Sequence, residues 1–136
     1  MEDIIKNAGQ MNDREIWIKE NQLYVGDDNI IYDIAKGETD EEIALGIKKA
    51  ILKLASLDPG KANLCVDLSK AGKPSPAARK IYLSITENKK IGKIALVGLH
   101  PVAQVLASSI TTLSGKKDLR FFKYKKSAEA WLKGTD

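Results

Sequence analysis

The residues best placed to do chemistry lie in one stretch, Val66-Asp67-Leu68-Ser69-Lys70-Ala71-Gly72-Lys73-Pro74-Ser75-Pro76. A carboxylate at the carboxyl end of a hydrophobic strand, followed by a loop and a helix start, is where open α/β sheets bind ligands. Ser75-Pro76 reads as the helix start, because serine caps and proline at the first helical position loses no needed donor. Backbone N–H groups left free there favour an anion or a phosphoryl group. In the plainer alternative Asp67 and Ser69 bond only the loop, and Ser75 only caps.

Other reactive types are isolated. His100 precedes Pro101 at a strand-to-helix junction and reads as a cap or surface group, with neither the nucleophile nor the orienting acid of a triad beside it. Cys65, the single cysteine, forms no internal disulfide and no cysteine-rich metal site; in Leu64-Cys65-Val66 it reads as a small core residue. The sequence has no Gly-x-Gly-x-x-Gly, and Gly115-Lys116-Lys117 lacks the upstream glycine of a phosphate-binding loop. The expectation is therefore a non-enzyme with no cofactor and no metal.

A basic cluster, Lys116, Lys117, Arg120, Lys123, Lys125 and Lys126, surrounds Phe121, Phe122 and Tyr124. Such interleaving can bind single-stranded nucleic acid by stacking and phosphate contact. Strand alternation would bury at least one of the two phenylalanines. That favours a weak contact with an anionic membrane surface, or an acidic protein, over nucleic acid.

These residues need elements to position them. Residues 1–13 are polar, with an isolated Gly9, and read as a loose N-terminal segment; residues 14–136 read as one domain. Glu15-Ile16-Trp17-Ile18-Lys19, a turn at Asn21-Gln22, Leu23-Tyr24-Val25, a turn at 26–29 and Ile30-Ile31-Tyr32-Asp33-Ile34 make an antiparallel meander. Thr39 and Glu42 form a capping-box pattern, and Ile43, Ile47, Ile51 and Leu54 make the core stripe of a first helix. Asp58-Pro59-Gly60 ends it. Then come a buried strand over 62–68, a helix from Ser75 to about 88, an apolar strand over 93–98, a helix from Pro101 to about 113, a strand over 118–123 and a helix over 127–133. Strands separated by helices imply parallel pairing through right-handed crossovers. The predicted fold is α/β: one mixed sheet, a meander followed by βα units, with about four helices.

At 136 residues, 43% hydrophobic and 29% charged, the chain has the composition of a soluble domain with its own core. It has no apolar run long enough to span a membrane and no signal-peptide pattern at its first residues, so a cytoplasmic location is expected. The net charge of +4 hides an asymmetry: residues 1–60 sum to −6 and residues 61–136 to +10. A positive face suits an anionic partner.

The order of elements, with Asp67-Leu68-Ser69 after a hydrophobic strand, resembles the STAS family, named for sulfate transporters and anti-sigma-factor antagonists. Ile94-Ala95-Leu96-Val97 followed by Pro101-Val102-Ala103, and Arg120-Phe121-Phe122 followed by Ala128-Glu129-Ala130-Trp131-Leu132, resemble the SpoIIAA-like, STAS/SEC14-type stand-alone proteins. The resemblance covers residues 14–133 and implies a non-catalytic binding or regulatory module. Antagonist members carry an Asp-Ser-Ser-Gly-like stretch whose serine a kinase phosphorylates. Aligned on Asp67-Leu68-Ser69, this chain has Pro76 and Ala77 at the hydroxyl positions, and no phosphoacceptor falls in register.

The SEC14-like side of the resemblance implies a small hydrophobic or amphiphilic ligand. Asp67, Ser69 and Ser75 are then the candidate polar mouth, and Val102, Leu106 and Ile110 of the third helix the candidate apolar wall. The alternative is an antagonist-like adaptor that binds a protein partner through the Ser69-to-Arg79 region, Arg79 included. A homodimer through Trp17 or the meander edge is a further option.

Overall fold

The computed structural model describes residues 10–134, and side-chain placement from residue 13 onward. Within it seven strands form one mixed sheet in sequential order. They are β1 (Gln10–Asn12), β2 (Glu15–Ile18), β3 (Asn21–Val25), β4 (Ile31–Thr39), β5 (Ala62–Pro74), β6 (Ile91–Val97) and β7 (Leu119–Phe122). The helices are α1 (Glu41–Ala55), α2 (Pro76–Thr86), α3 (Pro101–Leu113) and α4 (Lys125–Lys133). Strands β1 to β4 pair antiparallel and β4 to β7 parallel. Because the parallel strands follow one another in one direction and crossovers are right-handed, α1, α2 and α3 all lie on one face. Helix α4 follows the last strand and covers the other face.

The alternation of each strand divides the core accordingly. Ile31 of β4 and Leu64, Val66 and Leu68 of β5 pack with Ile47, Ile51 and Leu54 of α1 in the main core. Tyr32, Cys65, Ala95 and Val97 point to the opposite face and meet Ala128, Trp131 and Leu132 of α4. Phe121 packs against the first core and Phe122 against the second, so both rings of that pair serve packing. Cys65 is 1% exposed, and burial pushes its thiol up to about 12.

Four local features differ from the sequence reading. The β2–β3 hairpin turns at Lys19-Glu20, with Lys19 at φ +56°, and not at Asn21-Gln22. Asn21 is needed inside: it is 2% exposed, donates Nδ2–H to the Ile18 carbonyl (3.0 Å) and accepts from the Lys36 N–H (2.9 Å) beside the irregularity of β4. Helix α1 is capped by Asp40, whose Oδ1 accepts from the Ile43 N–H at 2.9 Å, while Thr39 ends β4 as a buried residue. Most consequentially, β4 and β5 both run past the expected ends. Lys36 pairs with Lys70, Gly37 with Ala71 and Thr39 with Pro74, so the stretch read as a ligand-binding loop is a parallel ribbon. Gly72 makes the ribbon possible, since a Cβ there would stand 2.9 Å from the Glu38 backbone nitrogen. Finally, residues 10–12 of the expected loose segment form edge strand β1, while residues 1–9 lie outside the described residues.

Candidate functional site

The ribbon disperses the candidate residues. Asp67 pairs in register with Ile34 and Val97, both of the α4-facing core, so it belongs to that face of the sheet. Its Oδ1 accepts from the Ser69 N–H at 2.9 Å, a local turn bond, and Ser69 itself is exposed. Ser75 lies at the far end of the ribbon, where it caps α2 through the Ala78 N–H (3.1 Å) and donates its own N–H to the Thr39 carbonyl. Val102 is half-buried, with its N–H donated to His100 Nδ1 at 3.2 Å; His100 is thus the cap of α3. Trp17 is half-buried and donates its indole N–H to Glu15 at 2.7 Å.

The remaining three candidates converge. Arg79, Leu106 and Ile110 line a cavity of about 70 Å³ between the sheet, α2 and α3. Val66, Leu68 and Leu96 form its floor, and Tyr82, Leu106 and Ile110 its roof. Arg79 is exposed and stands at the rim.

The walls differ in how firmly they are held. Helix α1 fully buries seven residues, whereas α3 buries only Ala103 and Ala107. Helix α3 is seated at its ends. At the start Gly98 lets it approach β6: a Cβ on Gly98 would meet the Ala103 Cβ at 2.5 Å. At the finish the Ser114 hydroxyl bonds the Thr86 hydroxyl of α2 at 2.9 Å. Between these seats Leu106 and Ile110 face the cavity while Val105 is 67% exposed.

The cavity also holds an acid, Asp33, that is not among the residues expected from the sequence. Asp33 sits mid-strand in β4, opposite Leu23 and Val66, whose side chains are in the main core. It is 4% exposed and lines the cavity, and its Oδ1 has no hydrogen-bond partner among the described residues. Burial, helped by the negative charge of Asp67, pushes its carboxyl up to about 7. Burial also raises the Tyr82 phenol; that side chain shares a hydrogen bond with Thr39. The signal was present in Ile31-Tyr32-Asp33-Ile34-Ala35, where the acid falls in phase with inward-facing Ile31 and Ala35.

The basic cluster has internal work. The Arg120 guanidinium lies 5.3 Å from the ring centres of both Phe122 and Trp131, and Lys125 Nζ lies 4.9 Å from that of Tyr32. Lys116 donates to the Ile91 carbonyl at 3.2 Å, and partial burial lowers its pKa. Lys117, Lys123 and Lys126 are exposed. Among the described residues no three His, Cys, Asp or Glu side chains gather to hold a metal, and no helix is long and apolar enough to cross a membrane.

The SpoIIAA-like family model matches residues 30–133, which span everything from β4 to α4. The chain belongs to the SpoIIAA-like family. Solved structures show the same fold. An uncharacterised DUF3478-family protein with a SpoIIAA-like fold from Shewanella loihica PV-4 superposes with a TM-score of 0.61 at 16% identity, covering 82% of this chain and 91% of that one. The anti-sigma factor antagonist SpoIIAA in its unphosphorylated form gives 0.61 at 12% identity, covering 84% and 98%. No curated protein matches the chain. The SpoIIAA-like fold, with its mixed sheet and four helices, agrees with the architecture expected from the sequence, and marks a STAS-type regulatory or binding module.

Proposed function

We propose that this SpoIIAA-like chain is a non-catalytic module that binds a small amphiphilic molecule beneath α2 and α3. The cavity carries this reading. Protein interiors are close-packed, with few voids larger than a water molecule, and here an apolar void of about 70 Å³ opens under the helix that buries least. A cavity of about 150 Å³ lined by aliphatic and aromatic groups takes up benzene. A ligand of comparable size enters this smaller space as α3 moves outward between its two seats. Leu106 and Ile110 contact the ligand's apolar body, and Arg79 stands where the ligand enters.

Native mass spectrometry of the gently purified protein, compared with its denatured mass, tests the reading. A small organic species that is held in the native ion and lost on denaturation is the expected result. A bare chain that also takes up no added amphiphile contradicts it. A second reading, a protein-binding adaptor, is supported by exposed apolar Leu99, Val105 and Leu113 in and beside α3, and by the likeness in fold to an anti-sigma factor antagonist. Under that reading the same spectra hold a bare chain.

A further inference from the structure

We infer that the ligand of this cavity carries a hydrogen-bond-donating head, an amine or a hydroxyl, which the Asp33 carboxylate receives. The inference rests on the cavity reading and adds the chemistry of the ligand's polar end.

A buried carboxylate that lacks a partner is strongly destabilising, because it gives up water without a replacement bond. Asp33 is in that position, 4% exposed and with Oδ1 unpartnered among the described residues. Its neighbours across the sheet, Leu23 and Val66, are apolar, and a leucine or valine at residue 33 would suit the same core. Natural proteins hold such locally unfavourable groups where a site needs them.

The surroundings leave the acceptor open. Tyr82, facing from α2, shares its bond with Thr39. Arg79, from the first turn of the same helix, stands at the exposed rim. From β5, the charge of Asp67 adds negative potential. A ligand entering past Arg79 therefore meets an apolar passage that ends in an acceptor. An amine or hydroxyl completes that acceptor, whereas a carboxylate would place like charges together without water between them.

Calorimetric titration of the whole chain at mildly alkaline pH with pentylamine, pentanol and pentanoate tests this. The expected order places pentylamine or pentanol at least about tenfold tighter than pentanoate, roughly 1.4 kcal/mol. Tighter pentylamine marks a charged donor, and tighter pentanol a neutral one. In Asp33→Asn the discrimination against pentanoate collapses. In Asp33→Leu, which fills the space with an apolar side chain, binding of all three is lost while the thermal midpoint rises. Pentanoate binding as tightly as the other two, or a preference that survives in Asp33→Asn, overturns the donor-head inference and leaves the cavity reading standing. If none of the three binds the wild-type chain, the cavity reading falls and takes this inference with it.

Discussion

At the scale of single residues, Asp33 links stability to the site. Its carboxyl has an ordinary value of 3.8 and is pushed up to about 7 in the fold. The folded state therefore binds the proton more tightly than the unfolded one. Its contribution is complete below about pH 4 and is lost as pH rises through about 7. At 1.36 kcal/mol per pKa unit the span is on the order of 4 kcal/mol. Beyond burial, Asp67 from β5 is the charged group that raises it, and Asp33 in turn helps to raise the Tyr82 phenol from α2, which stays neutral across this window. The expected outcome is that wild type loses stability relative to Asp33→Asn between mildly acidic and mildly alkaline pH, as read by denaturant unfolding. Parallel profiles for the two proteins would show that Asp33 titrates normally. Residue types alone do not reveal this group: a ligand-binding acid of an open α/β sheet is expected at the carboxyl end of a strand, and Asp33 is the third residue of the nine in β4. Asp67, the acid that does follow a hydrophobic run, has its Oδ1 bonded locally to the Ser69 N–H.

At the scale of elements, legibility follows how local the determining forces are. Helices α2 and α3 start where Ser75-Pro76 and His100-Pro101 place them, because caps and prolines act within a few residues. The extension of β4 and β5 depends on each other, over a pairing such as Thr39 with Pro74 that is 35 positions apart in the chain. Polar residues such as Lys70 and Lys73 give no apolar alternation to announce it. Helix α3 fully buries only Ala103 and Ala107, with Leu106 and Ile110 partly buried beside them, while Val105 and Leu113 remain more than 60% exposed. Local opening is cheapest where little apolar surface is buried. Hydrogen exchange should therefore show α3 amides opening at least about tenfold faster than those of α1, and slowing when an amphiphile is added. Equal protection of the two helices would contradict a moving wall.

At the scale of the whole molecule, one rule of handedness divides the work of the two faces. Sequential parallel strands send α1, α2 and α3 to the side that holds the cavity, while α4 seals the other side with Trp131 and Leu132. The sheet, its mixed pairing and its four helices were readable from periodicity and turn residues. Leu106 and Ile110 were readable as an apolar wall, but the outline of the cavity was not, since a void is set by how side chains from β4, β5, β6, α1, α2 and α3 fail to meet. The amide chemical shifts of the labelled chain during titration with pentanol test the central claim most directly. The cavity account predicts that the changes centre on Tyr82, Leu106 and Ile110 and spread to Asp33 and its neighbours in β4. Shifts centred instead on Trp131 and α4, or an unchanged spectrum at saturating pentanol, would contradict it.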